Sequence, residues 1–180
     1  MGQKMKLYRV KIPVIAATVI ETLVNEGSIE VEPANRSEAE QDLVAVMEEY
    51  LRRDYALRDA VKERMAAAGV SYDRYGKVRG QMAEEWGHPT GDDVERFLAR
   101  QFVENFMISR LIEEVYSDDK ELYKRVIGIL RDQHVDEHAL RDEAREQIKN
   151  IPEGTVDYEI ALSKALKEVK KRHGLIQPRS

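Results

Sequence analysis

The tetrapeptide Ala56-Leu57-Arg58-Asp59 occurs a second time, letter for letter, as Ala139-Leu140-Arg141-Asp142. The match extends around it in one register: Leu43, Met47, Val61 and Met65 fall opposite Val126, Leu130, Ala144 and Ile148 at a single offset. Self-similarity at a fixed spacing is the mark of a structural unit used more than once. It constrains the chain strongly, because whatever one half folds into the other half must fold into as well. Further along, Tyr72-Asp73 matches Asp157-Tyr158, and Trp86-Gly87 matches His173-Gly174 after a short insertion. Upstream, Ile20-Glu21 aligns with Ile112-Glu113, so two units of residues 5–88 and 92–176 cover nearly the whole chain.

Spacing also says what the unit is. Leu43, Met47, Leu57, Val61 and Met65 share one stripe at helical period, as do Val126, Leu130, Leu140, Ala144 and Ile148. Five prolines and ten glycines, among abundant Ala, Leu, Glu, Lys and Arg, suit helices with wet outer faces. Each unit reads as three helices. The first covers residues 12–24, with Pro13 in a first turn where its missing N–H costs nothing; its counterpart covers 93–116 behind Asp92 as a cap. The second starts at a Ser37–Glu40 capping box and runs to Ala68, stopped by Gly69; its counterpart starts at Ser117 or Asp118 and ends near Pro152. The third covers 72–86, weakened by Gly76 and Gly80, and again 156–173 before Gly174. Only the first unit carries an insertion, at 27–36, where Ile29 and Val31 alternate with Glu30 and Glu32 as in a short β-hairpin arm or an extended loop. The expected fold is therefore all-α, two tandem three-helix units packed closely as a helical bundle, since either unit alone would bury a modest core.

Both long stripes are interrupted at matching places, by Tyr50 and Asp54 in one and by Gln133 and Glu137 in the other. A carboxylate on a buried seam needs a partner, because unpaired burial costs on the order of several kcal/mol. Arg58 and Arg141 lie one helical turn on, so Asp54–Arg58 and Glu137–Arg141 are the expected structural pairs.

Composition narrows the chemistry. With no cysteine there is no disulfide framework and no thiolate metal site, as suits a reducing cytoplasm. The charged fraction of 35% is nearly balanced at net −5, which excludes a chain-wide basic field for bulk nucleic acid. Lys4, Lys6, Arg9 and Lys11 precede the apolar run 12–20 as in a secretory leader, but Pro13 and Thr18 interrupt the run and no clear small-x-small cleavage site follows. That run is also too short to span a bilayer, so a cytoplasmic chain without membrane contact is expected.

The opening Met5-Lys6-Leu7 with its apolar helix, the two Ala-Leu-Arg-Asp helices and the ending Lys170-Lys171-Arg172-His173-Gly174-Leu175 together resemble the bacterial family called Domain of Unknown Function 507, in a tandem two-copy form. The resemblance spans about Met5 to Leu175. It implies a bacterial, cytoplasmic, all-helical protein and supplies no activity to carry onto particular residues.

Among local motifs the sharpest is His134-Val135-Asp136-Glu137-His138, which has the His-x-x-Glu-His spacing of inverted zinc peptidases. Two histidines at i and i+4 share a helix face and can hold zinc, with Glu137 placed as general base. Such an enzyme needs a third ligand, and the first unit has Leu51, Asp54 and Tyr55 at the corresponding positions, so neither catalysis nor a cofactor is expected. No Gly-rich phosphate loop, nucleophile elbow or Walker sequence occurs. The last helix is basic through Lys164, Lys167, Lys170, Lys171 and Arg172, with Arg179 beyond, a candidate phosphate or nucleic-acid edge that the helix macrodipole already explains in part. Phe97, Phe102, Phe106 and Met107 make one helix apolar on several faces, so it either joins the two units or meets a second subunit in a homo-oligomer, with Trp86 and His88-Pro89 closing the first unit against it. The reading that follows is a non-catalytic interaction protein, an adaptor or assembly factor for a protein partner. The alternative is an RNA- or ribosome-associated factor using the basic end, and the third reading is a zinc metallohydrolase.

Overall fold

A computed structural model describes residues 5–176. It contains seven α-helices among those residues: α1 (Ile12–Asn25), α2 (Arg36–Ala68), α3 (Tyr75–Trp86), α4 (Asp93–Ile108), α5 (Asp119–Asp132), α6 (Glu137–Gln147) and α7 (Val156–Arg172). Two strands of two residues, β1 (Ile29–Glu30) and β2 (Glu114–Val115), complete it, so the chain is an all-α helical bundle.

Several boundaries lie where residue chemistry sets them. Pro13 sits in the first turn of α1. Gly69 at φ 65 and Gly87 at φ 62 end α2 and α3 in the left-handed conformation that glycine adopts without strain. Asp118 caps α5 by accepting from the Glu121 N–H at 2.8 Å. The expected caps at Ser37–Glu40 and Asp92 are not made. Turns in front of these helices take their place: the Pro33–Asn35 3-10 turn receives the Arg36 N–H on Pro33, and Thr90 receives the Asp93 N–H.

Three features depart from the sequence expectation. First, α4 stops at Ile108, where Ser109 turns extended, and the chain becomes β2 instead of continuing to Tyr116. Second, 27–36 is neither an insertion nor a self-contained hairpin. The connectors 26–35 and 109–118 are equally long, and they pair with each other antiparallel, Ile29 opposite Val115 and Glu30 opposite Glu114. At the offset that carries Ala56 onto Ala139, Glu30 answers to Glu113 and Val31 to Glu114, so this ribbon maps onto itself by a local twofold. Ile29 and Val31 are buried at 2% and 5% exposure while Glu30 faces out to accept from the Tyr116 hydroxyl at 2.6 Å. Third, the second long helix is broken across 133–136, making that unit four helices. Asp136 caps the new start by accepting from the Ala139 N–H at 3.0 Å. The equivalent stretch of α2 has no such cap, and its 33 residues run on unbroken for roughly 50 Å at 1.5 Å per residue.

Buried side chains divide into three clusters. The largest joins α1, the first half of α2, α4 and α5 with Met5, Leu7, Ile29, Val31 and Ile112, so one core draws on both 5–88 and 92–176. Leu98, Phe102 and Phe106 of α4 lie in its centre, whereas Met107 is exposed. A second cluster packs Leu57, Val61 and Met65 of α2 on Met82 and Ala83 of α3. The third packs α6 on α7 and adds Tyr8 from the N-terminal segment. Helix α3 makes substantial helix contact with α2 alone, and α6 and α7 with each other alone. The result is a shared body that carries two helical arms.

Candidate functional site

Where each arm leaves the body stands a carboxylate that the apolar stripe did not account for: Asp54 midway along α2 and Glu137 at the first residue of α6. They occupy the same position at the repeat offset. Asp54 is 5% exposed. Its Oδ2 lies 3.1 Å from Arg58 on the same helix, as expected, and its Oδ1 3.0 Å from Arg79 of α3 and 3.1 Å from His88 Nε2 in the link to α4. One carboxylate thus pins α2, α3 and the link together. The His88 ring stacks on Tyr50 at 4.8 Å, and the Tyr50 hydroxyl donates to the Pro89 carbonyl at 3.0 Å. Beside this root lies a cavity of about 370 Å³ lined by Tyr50, Arg53, His88, Pro89, Phe97 and Gln101, among others.

Burial holds the His88 imidazole below its ordinary 6.5, with Arg53 and Arg79 adding to that effect and Asp54 opposing it. Its Nε2 faces Asp54, and its buried Nδ1 has no hydrogen-bond partner among the described residues. As pH falls, the unfolded chain therefore takes up this proton first. The stability tied to neutral His88 is complete above 6.5 and is lost as pH falls through that value. Urea midpoints measured from neutral pH down to mildly acidic pH are expected to fall more steeply in the wild type than in His88→Gln. Parallel slopes would show that His88 is not the group responsible.

At the second root the partner differs from the expected one. Glu137 receives the Tyr8 hydroxyl on Oε1 and has Lys170 Nζ 3.9 Å from Oε2, while Arg141 is exposed and unpaired with it. The break before α6 puts Glu137 at the helix start, beside the N-terminal segment and α7, in place of a position one turn below Arg141 on a continuous seam. Lys170 is 9% exposed. Its ammonium lies 5.5 Å from the Tyr8 ring centre and that of Lys6 lies 5.3 Å from the same ring. Partial burial and then the neighbouring Lys170 bring the Lys6 ammonium down to about 8, with Arg58 adding and Glu137 opposing, although Lys6 as a whole reaches solvent. Burial and Glu137 push the Tyr8 hydroxyl far above its ordinary range.

The His-x-x-Glu-His segment is taken apart by the same break. His134 lies before α6, with Nε2 3.1 Å from Glu95 Oε2 in a contact that lacks hydrogen-bond alignment. Arg131 donates to the other Glu95 oxygen at 2.8 Å. His138 is exposed on α6, so the two histidines share no helix face, and among the described residues no three His, Cys, Asp or Glu side chains are grouped to hold a metal. The basic edge of α7 is dispersed as well. Lys170 turns inward, Lys171 lies 3.4 Å from Glu168 and Arg172 lies 3.1 Å from Glu143, while Lys164 and Lys167 stay exposed with no ion pair among the described residues. Lys4 and Arg179 lie outside the described residues. Sequence reasoning missed Lys6, Tyr8, Arg79 and His88 as members of the roots. Only His88, in the junction already singled out, carried a signal.

Carboxylates held by guanidinium, ammonium and phenol groups are fasteners more than bases, and the geometry defines a class: a two-armed all-α protein whose buried polar groups fix the arms to a shared body. The chain belongs to the family described as Protein of unknown function (DUF507), whose model matches residues 5–175. Comparison with curated proteins gives no match. No described helix is long and apolar enough to cross a membrane.

Proposed function

We propose that this is a non-catalytic adaptor or assembly factor of the bacterial cytoplasm, built by duplication of one helical unit, which holds a protein partner with the tips of its two arms. The carrying observation is that both tips expose large apolar side chains at matching places. Where α2 turns back toward α3, Tyr72 is 76% exposed and stacks on Tyr75 at 5.5 Å; at the start of α7, Val156 is 75% and Ile160 51% exposed. Large apolar side chains grouped at an exposed tip favour contact with another protein, and the body adds Ile108 at 82% and Tyr116 at 64% exposure to the apolar surface on offer. Each arm is packed mainly by a small apolar cluster apart from the main core, which leaves its tip clear of the body. The commitment of Asp54, Glu95 and Glu137 to cations and hydroxyls supports a binding role over a chemical one.

A second reading, an RNA- or ribosome-associated factor, draws support from Lys164 and Lys167 on the second arm, exposed and in no ion pair among the described residues, and predicts binding that weakens steeply with salt. The test is a tagged capture from bacterial lysate with and without ribonuclease, using the wild type and a Tyr72→Ser/Val156→Ser variant whose fold is checked by circular dichroism. A stoichiometric protein that survives nuclease and is lost with the tip variant is expected. Ribosomal proteins recovered only without nuclease, and equally by both chains, would replace the adaptor with the second reading.

A further inference from the structure

We propose that Lys6 and Lys170, arranged around the Tyr8 ring at the root of the second arm, form a binding site for a phosphate group. The chain carries net −5, yet Lys6 and Lys170 lie here with one carboxylate, Glu137, and with Arg58 of α2 close enough to act on Lys6. Asp54 is already shared by Arg58, Arg79 and His88. Glu137 is engaged by the Tyr8 hydroxyl and reaches Lys170 only at 3.9 Å. Lys6 has no carboxylate within ion-pair distance among the described residues, and the charged neighbour that acts on it most strongly is another ammonium, Lys170.

Two ammonium groups held together against a shortage of anions are mutually destabilising, and the π-face of Tyr8 offsets only part of that. The arrangement is nonetheless built in: Tyr8 is buried at 5% exposure and fixed through its hydroxyl to Glu137, and Lys170 is buried at the end of α7. Lys6 stands at the solvent side, which gives a ligand a way in. The lowered Lys6 ammonium agrees with a deficit of negative charge that a bound anion would fill.

The donors fit such an anion. Ammonium groups are compact point charges with three N–H donors apiece, and two of them can meet the spread oxygens of a phosphate dianion from two sides. Here the arginine nearest to hand, Arg58, is spent on Asp54 and lies over Tyr55. A phosphate between Lys6 and Lys170 gives the Lys6 ammonium the counter-charge it lacks and ties the N-terminal segment to α7.

The test uses the full chain and inorganic phosphate at constant ionic strength and neutral pH, followed by amide NMR shifts and by thermal unfolding. Saturable shifts confined to about residues 5–11 and 168–175, with a rise in Tm, are expected for the wild type. The exposed Lys6→Gln variant should fold as well or better without phosphate and bind it about tenfold more weakly, while Lys164→Gln/Lys167→Gln binds as the wild type does. Sulfate should compete and chloride should not. A 5′-phosphorylated dinucleotide binding more tightly than its 5′-hydroxyl form would place the group on a nucleic-acid end; equal binding would leave a free phosphate or small monoester as ligand. Absence of saturable shifts at about 50 mM phosphate, or shifts unchanged by Lys6→Gln, would overturn the site.

Discussion

Replacing Phe102 with alanine is expected to lower the stability of the whole protein by about 3–5 kcal/mol, the cost of deleting a fully buried aromatic ring and leaving a cavity behind. Phe102 is 0% exposed, on the face of α4 that also buries Leu98, Ala99 and Phe106. That face meets both α2 and α5, so a void there loosens the two halves of the body at once. Urea denaturation read by circular dichroism and by the fluorescence of Trp86, the single tryptophan, should give coincident transitions shifted together. A loss below about 1 kcal/mol would show that the body does not depend on this shared core.

The second large effect is expected at the root of the first arm. Asp54→Ala leaves Arg58, Arg79 and His88 gathered around nothing, and breaking a buried pair by removing one partner costs about 3–5 kcal/mol. The side chains of Arg58 and Arg79 are 42% and 29% exposed and can turn to water, so about 2–3 kcal/mol is the expected loss here. Unlike the Phe102 change, it should act locally. The Trp86 signal, at the end of α3, is expected to move to lower urea ahead of the circular dichroism change, because α3 is held by α2 and by this network. Adding Arg79→Met to Asp54→Leu should recover part of the loss by replacing an unpaired charge with apolar contact. Coincident transitions in Asp54→Ala would mean that the arm and the body unfold as one unit.

Both expectations depend on features of unequal visibility in the sequence. The place of α4 at the centre could be read from Phe97, Phe102 and Phe106, since a helix apolar over so much of its surface has few places to go but inside. The Asp54–Arg58 pair was equally plain, being one turn apart on one helix. Arg79 and His88 were not, because they reach Asp54 from 25 and 34 residues away through a helix turn and a link whose path no local pattern encodes. The break before α6 did leave a trace, Asp136 three residues ahead of Ala139 as an N-cap, but the repeated Ala-Leu-Arg-Asp motif suggested a continuous helix by analogy with α2.

What the amino-acid sequence determined by itself is what neighbouring residues can settle among themselves. That covers the helical period of the two stripes, the glycine stops at Gly69 and Gly87, the Asp118 cap, and the assignment to an all-α bundle. Tertiary structure decided the pairing of connectors 26–35 and 109–118, the single core drawn from both halves, and the partners of the two root carboxylates. The physical reason lies in range. Helix periodicity and caps act over three or four residues, whereas Tyr8 meets Glu137 across 129 residues of chain, and such a contact forms only when the packing of the body has brought the N-terminal segment to the root of the second arm.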